Sequence, residues 1–182
     1  MCYAGLDLSS NRDLTAFVMV FPDEGCYHVE AKFFLPAQGI RDKAREDKVP
    51  WDLWADQGWL TLIDGPVIVP SVVAQHVAQA AEDYHLELLA YDRWRINDFK
   101  RELDAIGANV NMAEFGQGFR DMSPAVEKLE RLVAERKLRH GNNPILNMCA
   151  ANAVAQQDPA GNRKLHKVKS AGKIDGLMAA QS

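Results

Sequence analysis

The sequence lacks several things that would fix its class at once. No apolar run approaches the roughly 18–20 residues needed to cross a bilayer, and the longest, such as Thr15–Phe21, are the length of a strand. Cysteine is scarce: Cys2, Cys26 and Cys149 are odd in number, widely spaced and form no CxxC pair. That argues against a disulfide framework and against a cysteine-rich zinc site. The five histidines show no metal-ligand spacing. The opening Met-Cys-Tyr-Ala-Gly has no basic stretch followed by an apolar one, so no secretory leader is expected and a reduced, cytoplasmic compartment fits best. There is no internal repeat and no low-complexity tract.

A basic excess is also missing. The 182 residues carry 21 Lys and Arg against 25 Asp and Glu, a net charge of −4, whereas nucleic-acid binders usually show a positive balance. The sum hides an asymmetry. Residues 1–119 balance to −9, and the stretch from Arg120 to Lys173 balances to +6. An acidic first part followed by a basic stretch requires an explanation.

What the chain has is 47% hydrophobic residues in a length suited to one domain. Tyr3–Leu8, Leu14–Phe21 and Tyr27–Leu35 read as strands of an antiparallel meander, with a turn at Pro22–Gly25. Residues 36–58 read as a loop plus one short helix packed by Trp51 and Trp54, and Leu60–Ile63 as a short strand. Ser71 is placed to cap a helix whose apolar residues recur through Tyr84. Leu86–Tyr91 is a buried type of strand, Ile96–Ile106 a helix ended by Gly107, and Asn109–Phe115 another strand. Ser123-Pro124 and Asn143-Pro144 each pair a cap with a proline at the first helical position. They predict helices through Leu138 and about Ala153. Asp158–Asn162 is a turn between two extended pieces, and Ile174–Ala180 is compatible with a helix. Three antiparallel strands followed by alternating helices and strands predict an α/β fold with a mixed sheet, in the order of the ribonuclease-H-like architecture.

Three aspartates interrupt apolar elements. Asp7 lies within the first strand, Asp92 directly follows an apolar strand, and Asp175 breaks Ile174-Asp-Gly-Leu-Met. A charge in such a place is costly unless it is paired or coordinates a metal, and the end of a strand in an α/β sheet is where ligands bind. Taken alone, each aspartate reads first as a helix cap or ion-pair partner. Together they suit Mg²⁺ or Mn²⁺, which prefer oxygen ligands. Two such ions roughly 4 Å apart can activate water and stabilise the leaving oxygen of a phosphodiester.

The ordered blocks then carry a resemblance. Gly5-Leu-Asp-Leu-Ser-Ser10 with Asp13-Leu-Thr-Ala16, Tyr91-Asp-Arg-Trp94, Glu114-Phe-Gly-Gln-Gly-Phe119 with Met122-Ser-Pro124, Leu138-Arg-His-Gly-Asn-Asn-Pro144, Asp158-Pro-Ala-Gly-Asn162 and Lys173-Ile-Asp-Gly176 run along nearly the whole chain. In this order they resemble the C-terminal nuclease domain of phage terminase large subunits. The resemblance implies a ribonuclease-H-like fold over residues 1–182 as a single nuclease domain. It implies a metal-dependent endodeoxyribonuclease that uses two Mg²⁺ or Mn²⁺ ions to cut concatemeric double-stranded DNA in genome packaging. It implies the terminase small subunit and portal as partners and no membrane. Its acidic site residues map to Asp7, Asp92 and Asp175. The family's ATPase motor is absent, because no GxxxxGK[ST] phosphate loop occurs. An excised domain or a decayed prophage product is therefore expected. The family's last helix continues further than Ser182, which implies a less rigidly held Asp175.

Other residues keep two readings. Asp13 is either a supporting carboxylate beside the site or a turn former, and Ser9 either contacts the site or shapes the turn. Arg93 and Arg95 suit phosphate contact or a solvated helix start. His140 suits a phosphate, a water or a hydrogen-bonded structural role. Arg163, Lys164, Lys167 and Lys169 form a basic run ahead of Lys173 and Asp175, expected to face DNA through salt-sensitive phosphate contacts. Lys173 is placed to touch phosphate or to tune Asp175. The competing readings are a catalytically weak or inactive DNA- or partner-binding module, and another ribonuclease-H-like enzyme such as a junction resolvase or hybrid nuclease.

Overall fold

A computed structural model describes residues 1–9, 13–93 and 95–165. The three opening apolar runs form the expected meander: β1 (Cys2–Asp7), β2 (Thr15–Asp23) and β3 (Cys26–Pro36) pair antiparallel in order. The turn is tighter than composition suggests. Pro22 and Asp23 stay in β2 opposite Tyr27 and Cys26, leaving a two-residue connection. Glu24 and Gly25 both have positive φ, 43° and 85°, as a primed hairpin turn requires to match the twist of its strands. The pairing of β1 with β2 stops at Val20. Pro22 therefore lies where a missing N–H is tolerated.

Residues 36–58 hold two helices rather than one, α1 (Ile40–Asp47) and α2 (Trp51–Asp56). Trp51 is fully buried, its indole N–H donating to Asp47 at 2.9 Å. Next come β4 (Thr61–Ile63), α3 (Pro70–Asp83), β5 (Leu86–Tyr91), α4 (Ile96–Ala105) and β6 (Met112–Glu114), the last shorter than predicted. Helix α3 begins at Pro70 with Val69 as its cap. Pro70 already has the φ of a first helical position, so Ser71 lies inside the helix.

Helix α5 (Phe119–Ala134) starts four residues before the predicted cap and carries Pro124 within it. Ser123 is buried and accepts a hydrogen bond from the Arg163 N–H at 3.1 Å. The helix ends before Leu138. Arg136 turns left-handed (φ 55°), and the N–H groups of Arg136 and Lys137 return to the carbonyls of Val133 and Leu132. This is a Schellman ending without its usual glycine. Leu138 then enters β7 (Leu138–Arg139), parallel to the start of β3. The Asn143 side chain caps α6 (Pro144–Asn152) as predicted, accepting from the Ile145 and Leu146 N–H groups. The Asp158–Asn162 turn joins β8 (Ala155–Gln157) to β9 (Arg163–Leu165), and Asp158 accepts from the Asn162 backbone and side chain.

The main sheet runs β4-β3-β2-β1-β5-β6, with β7 on the outer edge of β3. Strands β5 and β6 extend it in parallel with β1. Alternation along each strand sends side chains to two cores. On one face Leu6, Phe17 and Phe34 pack against Val73 and Val77 of α3 and Phe99 and Leu103 of α4. On the other, Ala16, Val18 and Phe33 pack against Trp51, Ile145 and Cys149. Each fully buried aromatic contributes about 1.5–3 kcal/mol. This is a mixed α/β sheet of antiparallel and parallel strands flanked by helices, the ribonuclease-H-like arrangement. No helix of the described residues is long and apolar enough to cross a membrane.

Candidate metal centre at a sheet edge

Two of the three predicted aspartates meet at one edge of the sheet. Leu6 of β1 lies in parallel register with Tyr91 of β5, and Asp7 and Asp92 are the next residues of the two chains. Neighbouring strands are about 4.8 Å apart, so the two aspartates leave adjacent strand ends side by side. Asp7 is opposite Ala16, whose side chain belongs to the core shared with α6. Directly opposed residues share a face, so Asp7 turns to that face, and alternation after Tyr91 sends Asp92 to the same side.

Asp7 is 7% exposed, Asp92 half-buried. A carboxylate so enclosed at a strand end fits an oxygen-preferring cation. Among the described residues no group of three or more His, Cys, Asp or Glu forms a metal cluster. Asp175, the third predicted member, lies outside the described residues, as do Lys167, Lys169 and Lys173.

The segment after β1 is tied down beside this edge. The Ser9 N–H donates to Thr15 Oγ1 at 3.1 Å, and the Ser9 hydroxyl donates to the Asp13 carbonyl at 2.7 Å. The Asp13 carboxylate accepts from the Leu14 N–H at 3.0 Å. Both residues thus shape the turn. Past Asp92, Arg93 is exposed and lies 4.0 Å from Glu114. Arg95 adopts a left-handed φ of 57° as the cap of α4 and gives no side-chain cap.

Glu114 is the residue that sequence reasoning passed over. It ends β6 opposite Tyr91 and so brings a third carboxylate to the same edge, on the face away from the aspartates. Its signal was an acidic residue closing a short strand, visible only once the register is known.

Two other expectations change. His140 follows β7, which pairs with Tyr27 and His28 at the start of β3. That is three strands from β1 and about 13 Å along the sheet from the Asp7 level, at 3.3 Å per residue. His140 is therefore not beside the aspartates. Arg163 forms an ion pair with Glu130 at 2.8 Å, and the Lys164 ammonium sits 4.7 Å from the centre of the Phe119 ring. Both basic residues are held against α5. Leu165 packs with Met122, Val126 and Phe115, and the Phe115 N–H bonds the Tyr91 carbonyl at 2.8 Å. The β8–β9 hairpin therefore reaches the aspartate edge.

Comparison with known proteins bears on the family and the fold. The sequence model of the terminase large subunit, endonuclease domain, matches residues 1–180. The large terminase subunit of Enterobacteria phage HK97 is 44% identical over 178 residues, covering 97% of this chain and 35% of that protein. The chain thus spans about a third of the relative it matches. The crystal structure of the HK97 large terminase superposes with a TM-score of 0.93 at 44% identity, over 99% of this chain and 38% of that one. The large terminase nuclease of thermophilic phage G20c, in crystals with bound magnesium and with bound cobalt, gives a TM-score of 0.62 at 16% identity in each case. Those matches cover 100% of this chain and 78% of that one.

Proposed function

The chain belongs to the family of terminase large-subunit endonuclease domains, and from that premise we propose that it is a divalent-metal-dependent DNA endonuclease that cuts concatemeric viral DNA in genome packaging. The observation that carries the reading is the pair Asp7 and Asp92 at adjacent parallel strand ends, with Asp7 enclosed by the sheet. Asp175, ten residues beyond Leu165, is the third carboxylate of the set. These side chains would hold Mg²⁺ or Mn²⁺, two ions in the full site. When bound, such ions supply an activated water and charge stabilisation on the leaving oxygen.

The chain's own residues do the rest. The hydrogen-bonded turn at Ser9, Asp13 and Thr15 fixes the exit from β1, so Asp7 presents its carboxylate from a rigid end. Arg93 is exposed beside Asp92 and can take a non-bridging phosphate oxygen of the duplex. Lys164, Lys167 and Lys169 contact further phosphates, and Arg163 joins them on release from Glu130. Lys173 meets the phosphate closest to Asp175. Residues 1–182 act as one nuclease domain, and the small subunit and portal are its partners in packaging.

Plasmid cleavage with Mn²⁺ tests this. Asp7→Ala, Asp92→Ala and Asp175→Ala should each lower the rate by about 10²-fold or more, the scale of losing a key electrostatic group. Equal rates in wild type and variants would overturn it. Duplex should be cut in preference to RNA–DNA hybrid and branched junctions. Normal DNA binding without cleavage under any divalent cation would instead establish a binding module.

A further inference from the structure

A groove of about 540 Å³ opens on the same face of the sheet as Asp7 but at the other end. Its floor is Val20 and Val29 of β2 and β3, and its walls are α5, through Leu129 and Val133, and α6, through Leu146. Val20 lies opposite Tyr3, four residues from the Ala16 level that pairs with Asp7. The groove is thus about 13 Å along the strands from the aspartates, and an occupant would leave them open.

Its chemistry is one-sided. The polar lining is Lys128, Arg136, His140 and Asn147, with no Asp or Glu among the described lining residues. Two acids close by are engaged elsewhere, Glu130 with Arg163 and Glu135 with Lys137. Lys128 lies 5.6 Å over the ring of Tyr27 in the groove. Val133 stays 59% exposed on the rim. His140 Nδ1 is buried without a hydrogen-bond partner among the described residues, a state that buried polar atoms rarely keep. Duplex DNA does not suit an apolar floor, because its backbone asks for cations on an open surface.

A trough between two helices over a sheet fits a third helix, and the α5 wall from Ala125 to Val133 is about 12 Å long at 1.5 Å per residue, two helical turns. We propose that this groove is the docking site for an acidic amphipathic helix of a partner protein. The helix lays its apolar face on Val29, Leu129 and Leu146. Its carboxylates meet Lys128 and Arg136.

The test uses the full chain and two fluorescein-labelled synthetic amphipathic peptides with the same leucine face, one with glutamate and one with lysine on the polar face. By fluorescence anisotropy the glutamate peptide should bind about tenfold or more tighter than the lysine peptide. Val133→Gln and Lys128→Glu should each weaken it by about tenfold, with melting temperature as in wild type and plasmid cleavage unchanged in Val133→Gln. Equal binding of the two peptides, or unchanged affinity in both variants, overturns the proposal. So does a wild-type dimer in sedimentation that Val133→Gln dissociates, which makes a second copy the occupant. So too does glutamate-peptide binding that requires removal of residues 166–182, which makes the chain itself the occupant. The anisotropy and sedimentation readouts do not depend on the nuclease reading.

Discussion

Asp7→Asn tests the shared carboxylate site without any DNA. Asp7 and Asp92 follow a registered pair, Leu6 and Tyr91, so their carboxylates start from backbones about 4.8 Å apart. Two like charges about 5–6 Å apart repel by about 1 kcal/mol in water and about 3 kcal/mol at an effective dielectric near 20. The burial of Asp7 moves the pair toward the larger figure. Asparagine keeps the shape and removes one charge, so the metal-free variant should be more stable than wild type by about 1–3 kcal/mol. For a chain of this size each kcal/mol moves Tm by about 2–4 °C, which gives a rise of about 2–12 °C in EDTA. A cation relieves the same repulsion in wild type, and at a hundred times its Kd it adds about 2.7 kcal/mol by linkage. Wild type should therefore gain about 5–11 °C on addition of millimolar Mg²⁺ or Mn²⁺, and Asp7→Asn only a small fraction of that. Scanning calorimetry in EDTA and in each metal reads all four values. If the variant melts below wild type in EDTA and still gains the full metal shift, the two aspartates do not share a cation and the reasoning fails.

Three further outcomes follow from the local chemistry. Asn143→Ala removes the acceptor of the Ile145 and Leu146 N–H groups and should cost about 1 kcal/mol in urea unfolding, with Asn143→Asp retaining most of the stability. Ser123→Ala takes the acceptor from the Arg163 N–H and should cost about 1–3 kcal/mol, with faster hydrogen exchange at Arg163 and across β9. His76 touches the Phe34 ring, and burial, with Lys32 nearby, lowers its pKa from 6.5. Its neutral form is therefore favoured by folding. The stability this gives is complete above pH 6.5 and is lost as the pH falls through the lower folded value. Melting temperatures read between pH 7.5 and 5 should fall less steeply in His76→Gln than in wild type.

The sheet was legible where long apolar runs had no alternative. Leu86–Tyr91 is a strand over the residues predicted, and the three opening strands differ from prediction only at their ends. What failed was punctuation read as local when tertiary contacts decide. Pro22 stays in a strand because β1 no longer pairs beside it. Ser123-Pro124 has the composition of a helix start, yet Ser123 is needed inside α5 to hold β9. The end of α5 was hidden because an arginine takes the left-handed position. The placement of Asp7 and Asp92 at strand ends was legible because a charge beside apolar strand residues stands out. His140 was not, because adjacency to a basic stretch says nothing about which strand β7 joins. Only register shows Glu114 at the edge, and Lys167, Lys169, Lys173 and Asp175 fall outside the described residues.

The charge asymmetry of the sequence maps only in part onto the layers. One face of the sheet is covered by α3 and α4, from the acidic part of the chain. The other is covered by α1, α2 and α6, together with α5, whose Leu129 meets Val20 and Val29 of the sheet in the groove. Helices α5 and α6 and the β8–β9 hairpin packed on α5 come from the stretch that balances to +6. Asp7 turns toward this second layer, by its register with Ala16. On that side a duplex reaching the aspartates would meet residues of the later, basic stretch beside α1 and α2 from the acidic part. Part of the positive charge is already committed, Arg163 to Glu130 and Lys137 to Glu135. The field on that side is therefore weaker than the sequence sum. A net charge of −4 is compatible with DNA binding because the carboxylates of the proposed site are themselves part of the acidic excess and a bound cation would neutralise them.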